Sequence, residues 1–199
     1  MKVLPSIVVV ALLLPYASMA WAATFADKLV AAARARTQQH EVYDGAYQRI
    51  AYPMGDVADN RGVCTDLVIR AYRKQGVDLQ VLIHEDMTRH FGAYPKLWGM
   101  RAPDRNIDHR RVPNIQTFMT RAGAALPVSQ EPTSYAPGDL VTWRLPGNLP
   151  HIGIVSDQRV GGSKRPKIIH NIGAGPVEDD ILFRYPITGH YRYAGSARR

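Results

Sequence analysis

The sequence predicts an α+β fold, with helices in the N-terminal part of the chain and strands after them. Apolar residues recur at helical spacing as far as about Arg121. Beyond that point come short runs rich in β-branched residues, bounded by Gly, Pro, Asn and Asp. Helices followed by strands are typical of helices that pack on a small antiparallel sheet with local connections.

Four helices are predicted, over residues 24–39, 64–76, 79–91 and 115–121. Thr24 offers a capping side chain to the first, and Gly76 ends the second. Cys64 lies at or just before the N-terminus of the second helix. Residues 43–62 and 92–113 are punctuated by Gly, Pro and Asp and are predicted to be irregular. Strands are predicted over 139–143, 151–155 and 167–170.

Residues 1–22 have the composition of a secretory signal peptide. Lys2 supplies the positive charge, residues 3–16 form the apolar run, and Ala20-Trp21-Ala22 is a cleavage signal of the small-x-small type. The run is shorter than the roughly 18 to 20 apolar residues of a membrane span. We therefore expect a single mature domain, residues 23–199, that is periplasmic or secreted and has no stable membrane insertion.

The charge balance and the cysteine count narrow the class of function. The formal net charge of +8 suits an anionic partner, such as a wall polymer, lipid head groups or nucleic acid. No basic stripe with interleaved aromatic residues is present, which argues against nucleic acid. A single cysteine excludes an internal disulfide. Cys64 is then either a small buried hydrophobic residue or a reactive thiol.

The position of Cys64 favours the interpretation as a reactive thiol. A helix N-terminus can lower the pKa of a thiol, and its free N–H groups can hold an oxyanion. Such a nucleophile needs a base, and a third group must orient that base. His151 begins one predicted strand and His170 ends the next, so a hairpin would bring them side by side. The third group could be His170, Asn171 or Asp157; Asp157 lies a strand's length from His151, roughly 20 Å.

Three segments carry a resemblance to a known family. They are GVCTDLVIRAYRKQG, APGDLVTWRLPGNLPHIGIVSD and IIHNIGAG. Together they resemble the NlpC-type cell-wall peptidases of the papain-like superfamily, in the family's order. The resemblance implies a papain-like, NlpC-like fold with the catalytic cysteine at a helix N-terminus. It further implies Cys64 as nucleophile, His151 as base and His170 as its orienting residue. Tyr52, with Gly55, resembles the family's tyrosine–glycine turn, whose hydroxyl helps at the active site.

The sequence also departs from the family pattern. Val63 stands where the family has an acid, Thr65-Asp66 replaces Ser-Gly, and residues 79–113 form a long insert. These departures indicate a divergent branch, of the kind catalogued as a domain of unknown function. The resemblance implies neither a metal nor an organic cofactor.

The insert allows two further interpretations. Arg105, Arg110 and Arg111 could bind carboxylates of wall peptides through bidentate hydrogen bonds. A metal site is the other interpretation, because four side chains of the insert are of zinc-binding types; they are His84, Asp104, Asp108 and His109. The chain has no H-E-x-x-H motif, and the neighbouring arginines would repel a cation, so we predict no metal site.

These observations predict an exported cysteine hydrolase that cleaves amide bonds in peptidoglycan stem peptides by a Cys-His-His triad. The expected partner is peptidoglycan or another anionic wall polymer. Three alternatives stay open. The same triad could run acyl transfer or deacylation. The fold could serve as a non-catalytic wall-binding module with an inert cysteine. A metal-dependent hydrolase centred on the insert is the third.

Overall fold

A computed structural model describes residues 22–195. The predicted signal peptide therefore lies outside the described residues, apart from Ala22. The four predicted helices are confirmed, and they are α1 (Phe25–Arg36), α2 (Cys64–Arg73), α3 (Leu79–His90) and α4 (Val112–Arg121). At the start of α1, the Thr24 hydroxyl accepts the Asp27 N–H and the Asp27 carboxylate accepts the Thr24 N–H, so the two residues form a capping box.

A two-stranded parallel ladder lies within the segment predicted to be irregular. It joins β1 (Val42–Tyr43) to β2 (Arg61–Gly62). The ladder is short, and the rest of the segment is turn and loop. Because β2 directly precedes α2, the pairing brings Tyr43 close to the start of that helix.

The main sheet has six antiparallel strands. They are β3 (Ala125–Leu126), β4 (Leu140–Leu145), β5 (Leu149–Arg159), β6 (Pro166–Asn171), β7 (Pro176–Asp179) and β8 (Ile187–Tyr191), in the order β3-β8-β4-β5-β6-β7. The three predicted strands correspond to β4, β5 and β6. The strands β3, β7 and β8 were not predicted, because each is short and carries no clear alternation.

The two faces of the sheet bury separate apolar clusters. On one face, α1 and α2 pack through Leu29 and Leu67 against Ile152 and Ile169. On the other face, Trp143, Val155 and Ile168 pack against Leu182. Each fully buried residue of this kind stabilises the fold by about 1.5–3 kcal/mol. The predicted α+β class, with helices on an antiparallel sheet, is confirmed.

The N-terminus of α2 is fixed by a buried ion pair. Asp66 accepts the Val63 N–H at 2.7 Å, which satisfies one of the free N–H groups that precede the helix. The Arg110 guanidinium donates to both carboxylate oxygens of Asp66, at 2.8 and 2.9 Å. Thr65 adds a hydroxyl bond to the Arg110 carbonyl. These contacts hold Cys64 in one position at the helix start.

Within residues 22–195, no helix is long and apolar enough to cross a membrane.

Candidate active site

Cys64 is the first residue of α2, and it is 5% exposed. The backbone N–H groups of Ile152, Thr65 and Cys64 lie near enough to its sulfur to lower the pKa of the thiol. The thiol of the helix start therefore touches strand β5 directly after His151.

The sheet register explains why the Ile152 N–H is available. The Val155 N–H points to β4, where it donates to the Asp139 carbonyl. Because N–H groups alternate along an antiparallel strand, the Ile152 N–H points to the opposite side, toward β6. Pairing between β5 and β6 extends only as far as Gly153 and His170. The Ile152 N–H, beyond this point, lies near the Cys64 sulfur.

His151, His170 and Asp179 form a hydrogen-bonded chain. His151 Nε2 lies 3.0 Å from His170 Nδ1, and His170 Nε2 lies 2.8 Å from Asp179 Oδ1. Both imidazoles are buried, whereas the Asp179 side chain is about half exposed. A side chain at Gly153 would meet Ile168 at 2.6 Å and His170 at 3.1 Å. The glycine of the H-I-G-I segment therefore lets β6 approach closely enough for the two rings to meet.

The direction of these bonds follows from the carboxylate. A carboxylate only accepts, so His170 donates from Nε2 to Asp179. A neutral His170 then carries no hydrogen on Nδ1, which accepts a hydrogen bond from the N–H of His151 Nε2. A neutral His151 in turn carries no hydrogen on its own Nδ1. Asp179 thus selects, through His170, the tautomer of His151 that can take a proton at Nδ1.

Burial, rather than the helix terminus, dominates the charge state of the thiol. Burial raises the pKa of Cys64 to about 12, and the Asp66 carboxylate adds to this effect. The N–H groups of Ile152, Thr65 and Cys64 act in the opposite direction and are outweighed. Burial, with a contribution from His170, lowers the pKa of His151 to about 3. The prediction of a lowered thiol pKa was wrong, because the sequence shows the helix start and not its depth. Burial therefore favours the neutral forms of both groups, a thiol and an imidazole.

Tyr43 is a neighbour of Cys64 that sequence reasoning missed. Tyr43 is 44% exposed as a whole, yet partial burial of its side chain raises its pKa to about 12, and the nearby Cys64 and Asp66 groups add to this effect. The structure instead places Tyr52 against His84, with ring centres 5.3 Å apart, and under the guanidinium of Arg105. Tyr43-Asp44-Gly45 is also a tyrosine–glycine segment, and this sequence pattern could have identified Tyr43 as a candidate.

The alternatives for the third residue lie elsewhere. The Asn171 side chain points to the opposite face from His170 and donates to Glu41 at 2.8 Å. Asp157 pairs with Arg34. Of the three candidates, His170 is the residue that contacts His151.

The three predicted substrate arginines are not equivalent. Arg110 is buried and committed to Asp66 and to the carbonyls of Ala46 and Asp44. The guanidinium of Arg105 lies over Tyr52, at 5.7 Å from the ring centre. The guanidinium of Arg111 lies 4.7 Å from the Trp98 ring centre, at the edge of a surface cavity next to Val63.

The insert does not assemble a metal site. Among residues 22–195, no group of three or more His, Cys, Asp or Glu side chains is placed to hold a metal ion. His109 is buried, and burial lowers its pKa to about 3, with added repulsion from Arg73 and Arg110. The neighbouring positive charges oppose a cation there.

Comparison with known proteins places the chain in a family. The family described as Domain of unknown function (DUF1287) matches residues 30–193. The chain belongs to the DUF1287 family. The uncharacterized protein YijF of Escherichia coli (strain K12) is 53% identical over 151 residues, which are 76% of this chain and 73% of that protein. The DUF1287 match includes Cys64, His151, His170 and Asp179.

A solved structure is also similar, that of NlpC1 from Trichomonas vaginalis. The two superpose with a TM-score of 0.45 at 14% sequence identity. The superposition covers 88% of this chain and 46% of that one, so this chain spans less than half the length of that protein.

Proposed function

We propose that the protein is an exported cysteine hydrolase that cleaves amide bonds in peptidoglycan stem peptides. One observation carries the proposal, namely the hydrogen-bonded order Asp179–His170–His151, which ends at the residue before Ile152, whose N–H lies near the Cys64 thiol. That order leaves His151 Nδ1 as a proton acceptor next to the residue whose N–H touches the Cys64 sulfur. The resemblance to NlpC-type peptidases supports the choice of wall peptides, and the net charge of +8 suits an anionic polymer.

The chemistry begins from neutral partners. Cys64 Sγ attacks the amide carbonyl as its proton passes to His151 Nδ1, so no resting thiolate is needed. The Cys64 backbone N–H, together with the Tyr43 hydroxyl, stabilises the oxyanion. The His151 imidazolium then protonates the leaving amine, which leaves a thioester. Water, deprotonated by His151, hydrolyses the thioester and restores the thiol.

Export is part of the proposal. Cleavage after Ala22 would leave Ala23 as the mature N-terminus, and the protein would fractionate as periplasmic or secreted material. N-terminal sequencing of the exported protein tests this, and an intact Met1 would contradict it.

A non-catalytic wall-binding module is the second candidate, and the burial of Cys64 favours it. Slow alkylation of the thiol does not separate the two, because the enzyme proposed here also holds Cys64 as a neutral thiol at rest. Incubation of the protein with purified peptidoglycan, followed by mass spectrometry of the soluble fragments, does separate them. The enzyme releases peptides with new amine and carboxylate ends. A binding module releases none. Release of free fatty acid from an added acyl substrate, with no peptides released from peptidoglycan, would indicate deacylation.

A further inference from the structure

Trp98 is an unusually exposed aromatic residue in the insert between α3 and α4. It is 57% exposed, although tryptophan is usually well buried. Its backbone φ is +55°, a conformation that bulky residues rarely adopt, and Gly99 follows at +69°. The Arg111 guanidinium covers one part of the indole at 4.7 Å from the ring centre. The backbone and Arg111 thus present the ring to solvent in a defined orientation.

Trp98 forms a wall of a cavity on the Cys64 side of the site. This cavity has a volume of about 320 Å³. Val63, which precedes the nucleophile, and Gly45, which lies two residues after Tyr43, line it together with Tyr47. Arg110 and Arg111 contribute the charged part of the lining.

Trp98 also forms a wall of a second cavity, on the His151 side. Its volume is about 560 Å³. Pro150 precedes His151 and lines this cavity, as does Trp143, whose ring centre is 5.9 Å from that of His151. Leu97 and Leu149 also line it, and both are exposed. The two cavities therefore lie beside Val63 and Pro150, the residues that precede Cys64 and His151, and they meet at the Trp98 side chain.

The lining chemistry selects among possible occupants. Neither cavity has a carboxylate among its lining residues, whereas Arg111 lines one and Arg144 the other. Arg110 also lines the first cavity but is paired with Asp66, and Arg111 lies 3.7 Å from Asp108. Polar groups, among them Asn148 and Thr188, alternate with the apolar ones. An acyl chain would favour an enclosed and uniformly apolar channel. An open groove with aromatic, amide and arginine side chains fits an extended peptide that carries carboxylates.

We infer that these cavities form one substrate groove, in which an extended anionic peptide crosses the Trp98 indole with a carboxylate near Arg111. The inference rests on the proposed hydrolase function and deepens it, because it names the residues that select the substrate. The two sides of the scissile amide occupy the two cavities. Trp98 is a substrate-binding residue with no part in proton transfer.

Fluorescence quenching tests the inference without any turnover. The chain has three tryptophans, and of the two in the described region Trp143 is fully buried. Quenching by acrylamide in the Cys64→Ala protein therefore reports on Trp98, and Trp98→Phe in the same background supplies the signal to subtract. Muropeptides released from purified peptidoglycan by a muramidase are the probe. We expect their binding to lower the quenching constant of Trp98 by about twofold or more, and Arg111→Gln to weaken the binding.

A kinetic measurement provides the second readout. Trp98→Ala should raise KM for muropeptides by about fivefold to tenfold with little change in kcat, because an aromatic contact in the groove is lost. Val128→Ala is the matched control, since Val128 is also exposed and lines neither cavity. Circular dichroism and the melting temperature verify that each variant is folded.

The possible results separate this inference from the proposed function. If wild-type protein releases peptides while Trp98 stays fully quenchable and Trp98→Ala keeps its KM, the groove is wrong and the hydrolase stands. If muropeptides shield Trp98 but Cys64→Ala is as active as wild type, the groove stands and the cysteine mechanism is wrong. Shielding of Trp98 by phosphatidylglycerol vesicles and not by muropeptides would overturn the peptide assignment.

Discussion

Replacing His170 with alanine removes the group that orients the proposed base. His170 is fully buried and lies between His151 and Asp179, at 3.0 and 2.8 Å. The alanine variant leaves the N–H of His151 Nε2 without its buried partner, which costs about 1–3 kcal/mol. At about 1.36 kcal/mol for each tenfold in rate, we expect kcat to fall by about 5-fold to 150-fold. KM should change little, because His170 does not reach the substrate.

The assay compares wild type, His170→Ala and His170→Asn for release of peptides from purified peptidoglycan. An asparagine amide oxygen can accept the same N–H, so His170→Asn should keep a larger part of the activity than His170→Ala. Asn171→Ala is the neighbouring control, since that side chain points to the other face of the sheet.

Two results would refute this reasoning. One is a His170→Ala protein that is folded by circular dichroism and has the kcat of wild type. The other is a loss confined to KM, which would place His170 in substrate binding. Should Asn171→Ala lose kcat while His170→Ala does not, the strand register that pairs Gly153 with His170 is wrong in solution.

Further predictions concern Tyr43, the pH dependence of the free energy of unfolding and the Asn171–Glu41 hydrogen bond. Tyr43→Phe should lower kcat by about tenfold or more through loss of an oxyanion donor, whereas Tyr52→Phe should not; equal kcat values in the two variants would contradict the assignment. The pKa of His151 is about 3 in the folded state and about 6.5 in the unfolded chain. The unfolded chain therefore binds more protons between these pH values. The free energy of unfolding should fall as the pH is lowered from 7 to 4.5. Urea titrations at both pH values measure this, and equal stabilities would contradict it. Asn171→Ala should lower the free energy of unfolding by about 1–3 kcal/mol, because buried Glu41 loses a donor, with kcat unchanged; an unchanged urea midpoint would argue against that bond.

Local patterns were sufficient to predict the central elements of the fold. In α2, apolar residues at helical spacing end at a glycine with φ +76°, and in β5 the H-I-G-I segment alternates between the two faces. The same patterns brought Cys64, His151 and His170 into consideration together. Each of these signals lies within about ten residues of chain, which is the range over which periodicity is informative.

The features that the sequence did not predict depend on contacts between distant parts of the chain. Asp179 lies on the short β7, whose P-V-E-D sequence has no strand pattern and which forms by pairing with β6. Tyr43 and Tyr52 both precede Cys64 in a segment without periodicity. The path of that segment depends on buried ion pairs of Glu41 with Arg36 and Arg70, which spacing along the chain does not reveal. The depth of Cys64, and hence its raised pKa, is likewise a result of tertiary packing.

The most direct test of the account is the activity of Cys64→Ala on purified peptidoglycan, measured beside wild type with the melting temperature of both. Removing one sulfur atom at the helix start should shift the melting temperature by no more than about 4 °C. Peptide release should fall by more than about 10⁴-fold, because no other group can form the thioester. A folded Cys64→Ala protein that still releases peptides with new amine and carboxylate ends would contradict the cysteine mechanism.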